Sequence, residues 1–203
     1  MTLRGPSARE AFRDADAYAE TMAPSLRSMA SGVVFRAALK PGERVLDVGT
    51  GTGIAVAAAR GSGCEVIGLD ASPEMLAVAR RDLPDHEFVE ADFSAMPFEA
   101  GSFDVVTNVF MLHELPRRVR RSVLLEMRRV LVPGGLLVIM DAAQLSESPE
   151  LAPALHQFSK DLHEPYFADY LKDDLRTLLE DSGFHVEHVA PHFVAKVVSA
   201  RVK

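Results

Sequence analysis

Val45-Leu46-Asp47-Val48-Gly49-Thr50-Gly51-Thr52-Gly53 runs from a buried-strand pattern straight into three glycines at alternate positions, and a helical pattern follows over 54–60. Glycine lets a chain turn sharply and lets a ligand approach the backbone closely, at the carboxyl edge where open α/β sheets bind ligands. A mononucleotide-like group suits such a loop; the plainer alternative is a tight strand-to-helix turn. Dinucleotide folds use G-x-G-x-x-G, whose third glycine would fall at position 54, where Ile54 stands. That argues against a nicotinamide dinucleotide.

Three carboxylates extend the reading. Asp70 ends the second strand pattern, where it can accept hydrogen bonds from both hydroxyls of a ribose. Asp92 follows the third strand in Glu90-Ala91-Asp92-Phe93, placed to accept from an exocyclic amine while Phe93 packs near the ring; the alternative is a solvated loop acid. Asp47, beside the glycine loop, is ill placed to meet a pyrophosphate and well placed to meet an ammonium group. It therefore favours a zwitterionic, phosphate-free cofactor, unless it only caps nearby backbone amides.

Outward from the loop, short β-branched runs near 44–48, 65–69, 86–89, 104–109 and 136–141 alternate with helical patterns. This order indicates βαβ units and a mainly parallel, doubly wound sheet with helices on both faces. Ser72-Pro73-Glu74 predicts a helix start carrying Met75, and Pro133-Gly134-Gly135 stops a helix over 119–131. Helices near 150–162 and 168–181, the latter ended by Gly183, then precede β-rich runs at 184–190 and 193–202. The link between those runs is too short for a parallel crossover, so the seven-stranded sheet is expected to end in an antiparallel hairpin. Residues 7–38 read as two helices covering the carboxyl ends of the strands, giving a helical cap over 1–39 on one structural domain whose main body is 40–203.

A chain of 203 residues with 48% hydrophobic and 25% charged residues is that of an ordinary globular domain. The single cysteine, Cys64, excludes an intrachain disulfide and a cysteine-cluster metal site. No signal-like or membrane-spanning run is present, and a cytoplasmic setting is the expectation. Net charge is −7, and the arginine-rich run 117–129 follows an amphipathic pattern, so neither nucleic acid nor membrane is an expected partner. The oligomeric state stays open between monomer and homodimer.

Taken together, Asp47-x-Gly49-x-Gly51-x-Gly53, Asp70, Ala91-Asp92-Phe93, Phe103-Asp104-Val105-Val106 and Leu131-x-Pro133-Gly134-Gly135 resemble the class I methyltransferase superfamily, in the small-molecule subgroup called methyltransferase type 11. The resemblance spans residues 40–145 by motif and implies a Rossmann-like fold. It also implies S-adenosyl-L-methionine as cofactor and S-adenosyl-L-homocysteine as product. It assigns the cofactor to Gly49, Thr50, Gly51, Asp70, Ala71, Met75, Asp92 and Phe93, beside the Asp47 already read as a cofactor contact, with Asn108 lining the methionine portion and Tyr18 closing over it.

Methyl transfer is an in-line displacement, so positioning the acceptor and removing its proton are the protein's tasks. His113, in Phe110-Met111-Leu112-His113-Glu114-Leu115 after the fourth strand, is the candidate general base; the alternative is packing at the loop. A base here would favour oxygen somewhat as the methylated atom of a small organic acceptor. His163, Tyr166 and Tyr170 are candidate acceptor contacts, although Tyr166, Phe167 and Tyr170 read equally well as core residues. No ligand spacing for a metal is found among the histidines, and no cysteine pair suits arsenic chemistry. Two other readings remain: a nicotinamide-dependent oxidoreductase, and a protein that binds S-adenosylmethionine without transferring its methyl group.

Overall fold

Every central strand is apolar on both sides, and the period-two alternation of side chains sorts the buried residues into two clusters, one per face of the sheet. The computed structural model describes residues 14–146, 148–162, 165–192 and 194–203. Its strands are β1 (Arg44–Val48), β2 (Glu65–Asp70), β3 (Glu87–Glu90), β4 (Phe103–Val109), β5 (Leu131–Ala142), β6 (Phe184–His192) and β7 (Ala195–Val202). They form one seven-stranded sheet in the order β3-β2-β1-β4-β5-β7-β6. The first five are parallel, and β7 runs antiparallel to both β5 and β6.

β1 is the pivot of this order. Val45 pairs with Val66 of β2 on one side and with Val105 of β4 on the other. The chain builds outward through β2 and β3, then crosses back to β4, so the carboxyl end of β1 lies at the switch point where such sheets open a crevice. The glycine loop is therefore placed by topology as much as by its own residues. Asp104 ties the opposite ends of the two strands, its Oδ2 accepting from the Arg44 amide at 2.9 Å.

The helices are α1 (Ala15–Thr21), α2 (Ala23–Ala37), α3 (Ile54–Ala58), α4 (Pro73–Asp82), α5 (Arg117–Val130), α6 (Ala152–Leu162), α7 (Phe167–Tyr170) and α8 (Leu175–Asp181). α4 starts as the sequence predicts: Ser72 Oγ accepts from the Met75 amide at 3.2 Å, Pro73 opens the first turn, and Glu74 follows where the helix dipole favours an acid. α5 buries Val123, Leu124, Met127 and Val130 at three- and four-residue spacing against Leu46, Val106 and Leu137. Complete burial of such side chains contributes about 1.5–3 kcal/mol each.

Two expectations are corrected. α2 does not cover the strand ends: Ala30, Val33 and Ala37 are buried in the cluster that holds Val105, Val138, Met140 and Val197, so α2 is one of the layer helices on a sheet face. Small alanines let it lie close to the β-branched strands. α1, ahead of it, brings Tyr18 within reach of the charges of Glu114 and Asp70. The helix predicted over 168–181 is also broken, into α7 and α8, because Asp173 is drawn into ion pairs with Arg117 and Arg120. Asp174 then caps the new start, accepting from the Thr177 amide at 3.2 Å.

Candidate active site

The glycine loop is held from below by β2: the amides of Gly49 and Thr50 donate to the Leu69 carbonyl at 2.8 and 3.0 Å. Gly49 has φ +72°, and a side chain there would meet Met111 Sδ at 2.6 Å, so glycine is required both by conformation and by packing. Gly51 differs. Its φ of +52° again favours glycine, yet a Cβ there would meet nothing within 4 Å, so this point of the loop faces open space.

Asp70 connects the loop to α4. Its Oδ2 accepts from the Gly51 amide at 2.7 Å and its Oδ1 from the Ser72 amide at 2.9 Å. Burial pushes this carboxyl up, and backbone amides, those of Ser72 and Gly51 first, oppose the shift. Each carboxylate oxygen has a second lone pair, so these bonds aim the group without using up its accepting capacity. Asp47 is buried one strand away and accepts from Thr107 Oγ1 at 2.8 Å. Burial lifts its pKa to about 6, Thr107 opposing and the Asp70 charge adding to the rise. Two carboxylates with raised pKa values beside an open loop are ready for a cationic ligand group.

Asn108, at the end of β4, is fully buried; its Nδ2 donates to the Val48 carbonyl at 2.7 Å, while its Oδ1 has no hydrogen-bond partner among the described residues. A buried acceptor left unpaired in this way fits a site completed by a ligand donor. Met75 is half-buried at the start of α4 and Ala71 is exposed beside Asp70. Asp92 is exposed, accepting from both the amide and the hydroxyl of Ser94 at 2.7 Å, which hold its carboxyl below the usual range. Phe93 is half-buried against the α5-side cluster. Together, the opening at Gly51, the two carboxylates and Asn108 Oδ1 fit a ligand with an ammonium group and ribose hydroxyls.

Across the crevice, the chain leaves β4 through Phe110, whose φ of +52° is rare for a non-glycine residue and costs about 1–2 kcal/mol. A short 3₁₀ turn, Leu112–Glu114, follows. Asp141 at the end of β5 organises it: Oδ2 accepts from the Leu112 amide at 2.9 Å and the His113 amide at 3.3 Å, and Oδ1 lies 2.6 Å from His113 Nδ1. The His113 ring is buried, with Phe110, Phe167 and Tyr170 set edge-on around it at centroid distances of 6.1, 5.4 and 6.2 Å.

Arg120 fastens this turn to the carboxyl-terminal half. It is 1% exposed, donates to the carbonyls of Leu112 and Leu115 at 3.1 and 2.9 Å, pairs with Asp173 and Asp169, and lies over the Tyr170 ring. Arg120 and Asp141 were both missed in the sequence, and both left a signal. Arg120 occupies the apolar stripe of α5, in step with Val123, Leu124 and Met127. Asp141 is the one charge inside the apolar run 136–143.

The acceptor candidates fare unevenly. Tyr170 is corrected to a core residue, its hydroxyl donating to the Ala142 carbonyl at 3.0 Å with the ring 1% exposed. Tyr166 is 39% exposed at the same segment, and His163 lies outside the described residues. Tyr18 sits on α1 with its phenol pushed up to about 12, by burial first and then by the charges of Glu114 and Asp70. Those two acids belong to opposite sides of the crevice, so α1 brings its tyrosine to the gap between them. Among the described residues no group of three histidine, cysteine or acidic side chains is arranged to hold a metal ion. No helix there is long and apolar enough to cross a membrane.

Residues 46–139 match the family described as methyltransferase domain, type 11. An uncharacterized methyltransferase of Synechocystis is 32% identical over 169 residues, covering 81% of this chain and 78% of that protein. A demethylmenaquinone methyltransferase of Beutenbergia cavernae is 37% identical over 156 residues, 71% of this chain and 62% of that enzyme, so this chain spans less than two thirds of its length. A methyltransferase of Haloferax volcanii, solved in complex with the Trm112 methyltransferase activator, superposes with a TM-score of 0.76 at 23% identity over 99% of both chains, which shows the shared fold. With the loop, the strand order and the antiparallel ending in place, the chain belongs to the class I S-adenosylmethionine-dependent methyltransferases of the type 11 subgroup.

Proposed function

We propose that this chain methylates a small organic acceptor carrying a hydroxylated or quinone-like ring, with S-adenosylmethionine as donor. The cofactor, when bound, supplies a methyl group on a positively charged sulfur. Asp47 would meet its ammonium group, Asp70 its ribose hydroxyls and Asn108 Oδ1 a donor of the methionine portion, with Gly51 leaving room for close approach. Asp92, exposed, and Phe93, half-buried, follow β3 and would meet the adenine end. The ring-bearing acceptor is suggested by the relatives named for demethylmenaquinone.

The observation that carries the catalytic reading is the His113–Asp141 pair at 2.6 Å. Asp141, accepting the hydrogen bond of Nδ1–H, would hold the imidazole in the tautomer whose Nε2 bears the lone pair. With the methyl donor bound, His113 would accept the proton that an acceptor hydroxyl loses as its oxygen, or a ring carbon conjugated to it, takes the methyl group, the donor leaving as S-adenosylhomocysteine. The 4% exposure of His113 supports a competing role, in which the pair only fixes the turn. Calorimetry with S-adenosylmethionine, S-adenosylhomocysteine and NAD tests the cofactor side: the first two are expected to bind and NAD is not. A labelled-methyl assay over phenols, naphthols and quinols tests the rest. Binding without transfer to any of them would leave a cofactor-binding protein and overturn the acceptor reading.

A further inference from the structure

Among the described residues, two non-glycine positions have positive φ, Ala38 and Phe110. Ala38 has a local reason: it is the left-handed cap that ends α2. Phe110 ends no helix. It is the first residue past β4, its amide donating to the Met140 carbonyl at 2.8 Å, so the ladder to β5 continues while the chain turns away. The neighbours Val109 and Met111 are both buried, whereas Phe110 is only partly so. One side of it packs with the cluster that holds Met140 and Ala195. Its ring also stands 6.1 Å from the His113 ring, the planes at 79°. A costly backbone conformation, kept at the carboxyl edge of the sheet with a large ring left partly open beside the candidate base, is what a binding wall needs and a core residue does not.

We infer that Phe110 is the specificity-determining wall of the acceptor pocket, against which a planar aromatic acceptor lies while its hydroxyl reaches His113. Ring against ring prefers offset stacked or edge-on geometry, and a saturated ring of the same size lacks the flat face for it. The turn at Phe110 fixes the wall relative to the imidazole, so acceptor planarity and acceptor position are selected together. This inference rests on the proposed aromatic acceptor, and its test separates the two.

The probes are 1-naphthol and its saturated counterpart 1-decalol, titrated by calorimetry into protein saturated with S-adenosylhomocysteine. The native protein is expected to prefer 1-naphthol, and Phe110→Leu to weaken it by about 5–10-fold with little effect on 1-decalol. Phe110→Tyr keeps the ring and is expected to keep the preference. Phe110→Asn supplies a residue that tolerates this backbone, so it removes the ring without straining the fold, and it is expected to behave as Phe110→Leu does. In every variant the affinity for S-adenosylhomocysteine stays within about twofold, which reports an intact cofactor side. A native protein with no preference for 1-naphthol overturns the aromatic acceptor and this inference with it. A preference that survives in both Phe110→Leu and Phe110→Asn overturns the wall alone.

Discussion

The two sides of the crevice are built by different means. On the proposed cofactor side backbone amides dominate, those of Gly49 and Thr50 on the Leu69 carbonyl and those of Gly51 and Ser72 on Asp70, beside the side-chain bond from Thr107 to Asp47. On the proposed acceptor side the parts are buried side chains from distant elements: His113 with Asp141, Arg120 with Asp173, and Lys196, which lies opposite Asp141 in the β5–β7 ladder, with Gln144 at 2.5 Å. Backbone contacts depend on conformation, which glycine and strand order dictate. Side-chain networks depend on partners 28, 53 and 52 residues apart, so each fails when one member changes. A cofactor common to a family suits the first construction, and an acceptor particular to one enzyme suits the second.

The sharpest break in this contrast is Arg120→Met. It leaves the Asp173 carboxylate, 7% exposed, with the exposed Arg117 alone among the described residues, and takes a donor from the carbonyls of the buried Leu112 and the half-buried Leu115. Removing one partner of a buried pair costs about 3–5 kcal/mol, and Arg120→Met with Asp173→Leu should recover much of it. Urea denaturation measures both, and a loss under 1 kcal/mol would mean that the network does not hold the acceptor side. Next comes His113→Gln, expected to lower turnover by about 10²-fold or more if His113 takes the proton. Its affinity for S-adenosylmethionine should not change, because the cofactor side stands on other bonds. Normal turnover in this variant would assign the His113–Asp141 pair to structure.

How much was legible follows the same division. The turn 49–53, the place of Asp70 at the end of β2 and the Ser72 helix start are local patterns, and each was readable because neighbouring residues carry the whole signal. The antiparallel ending was readable from the length of a link. Tyr170 was not, since its aromatic character suits core and pocket alike, and only the bond to the Ala142 carbonyl decides between them. The break between α7 and α8 depends on Arg117 and Arg120, more than fifty residues earlier, and no pattern within 168–181 announces it. α2 was misplaced for a related reason: its alanines mark a helix, but the face they bury against is a tertiary fact.

A smaller effect tests the cofactor side alone. Asp70→Ala removes charge-assisted acceptance from a ribose and unpairs the Gly51 and Ser72 amides, and about 2 kcal/mol, some thirtyfold in affinity, is expected. Asp70→Asn should lose less. Unchanged calorimetric affinity in Asp70→Ala would move the ribose elsewhere.

The smallest effect is a pH dependence, and its two parts run in opposite directions. Burial raises Asp47 from 3.8 to about 6 in the folded chain, so between those values the native state binds a proton that the unfolded chain has released. The cofactor-free protein should therefore lose stability as pH rises from about 4 to about 6. An ammonium group beside Asp47 requires the ionised form, whose share grows from about one tenth at pH 5 to about nine tenths at pH 7, so affinity for S-adenosylmethionine should rise by roughly ninefold. Asp70 is raised as well, by burial, and Asp47→Asn separates the two. In that variant the stability loss between pH 4 and 6 should shrink and the affinity profile should flatten. A native affinity that is level from pH 5 to 7 would place the ammonium group away from Asp47, and the raised carboxyl would then be a cost of burying Asp47 beneath the loop.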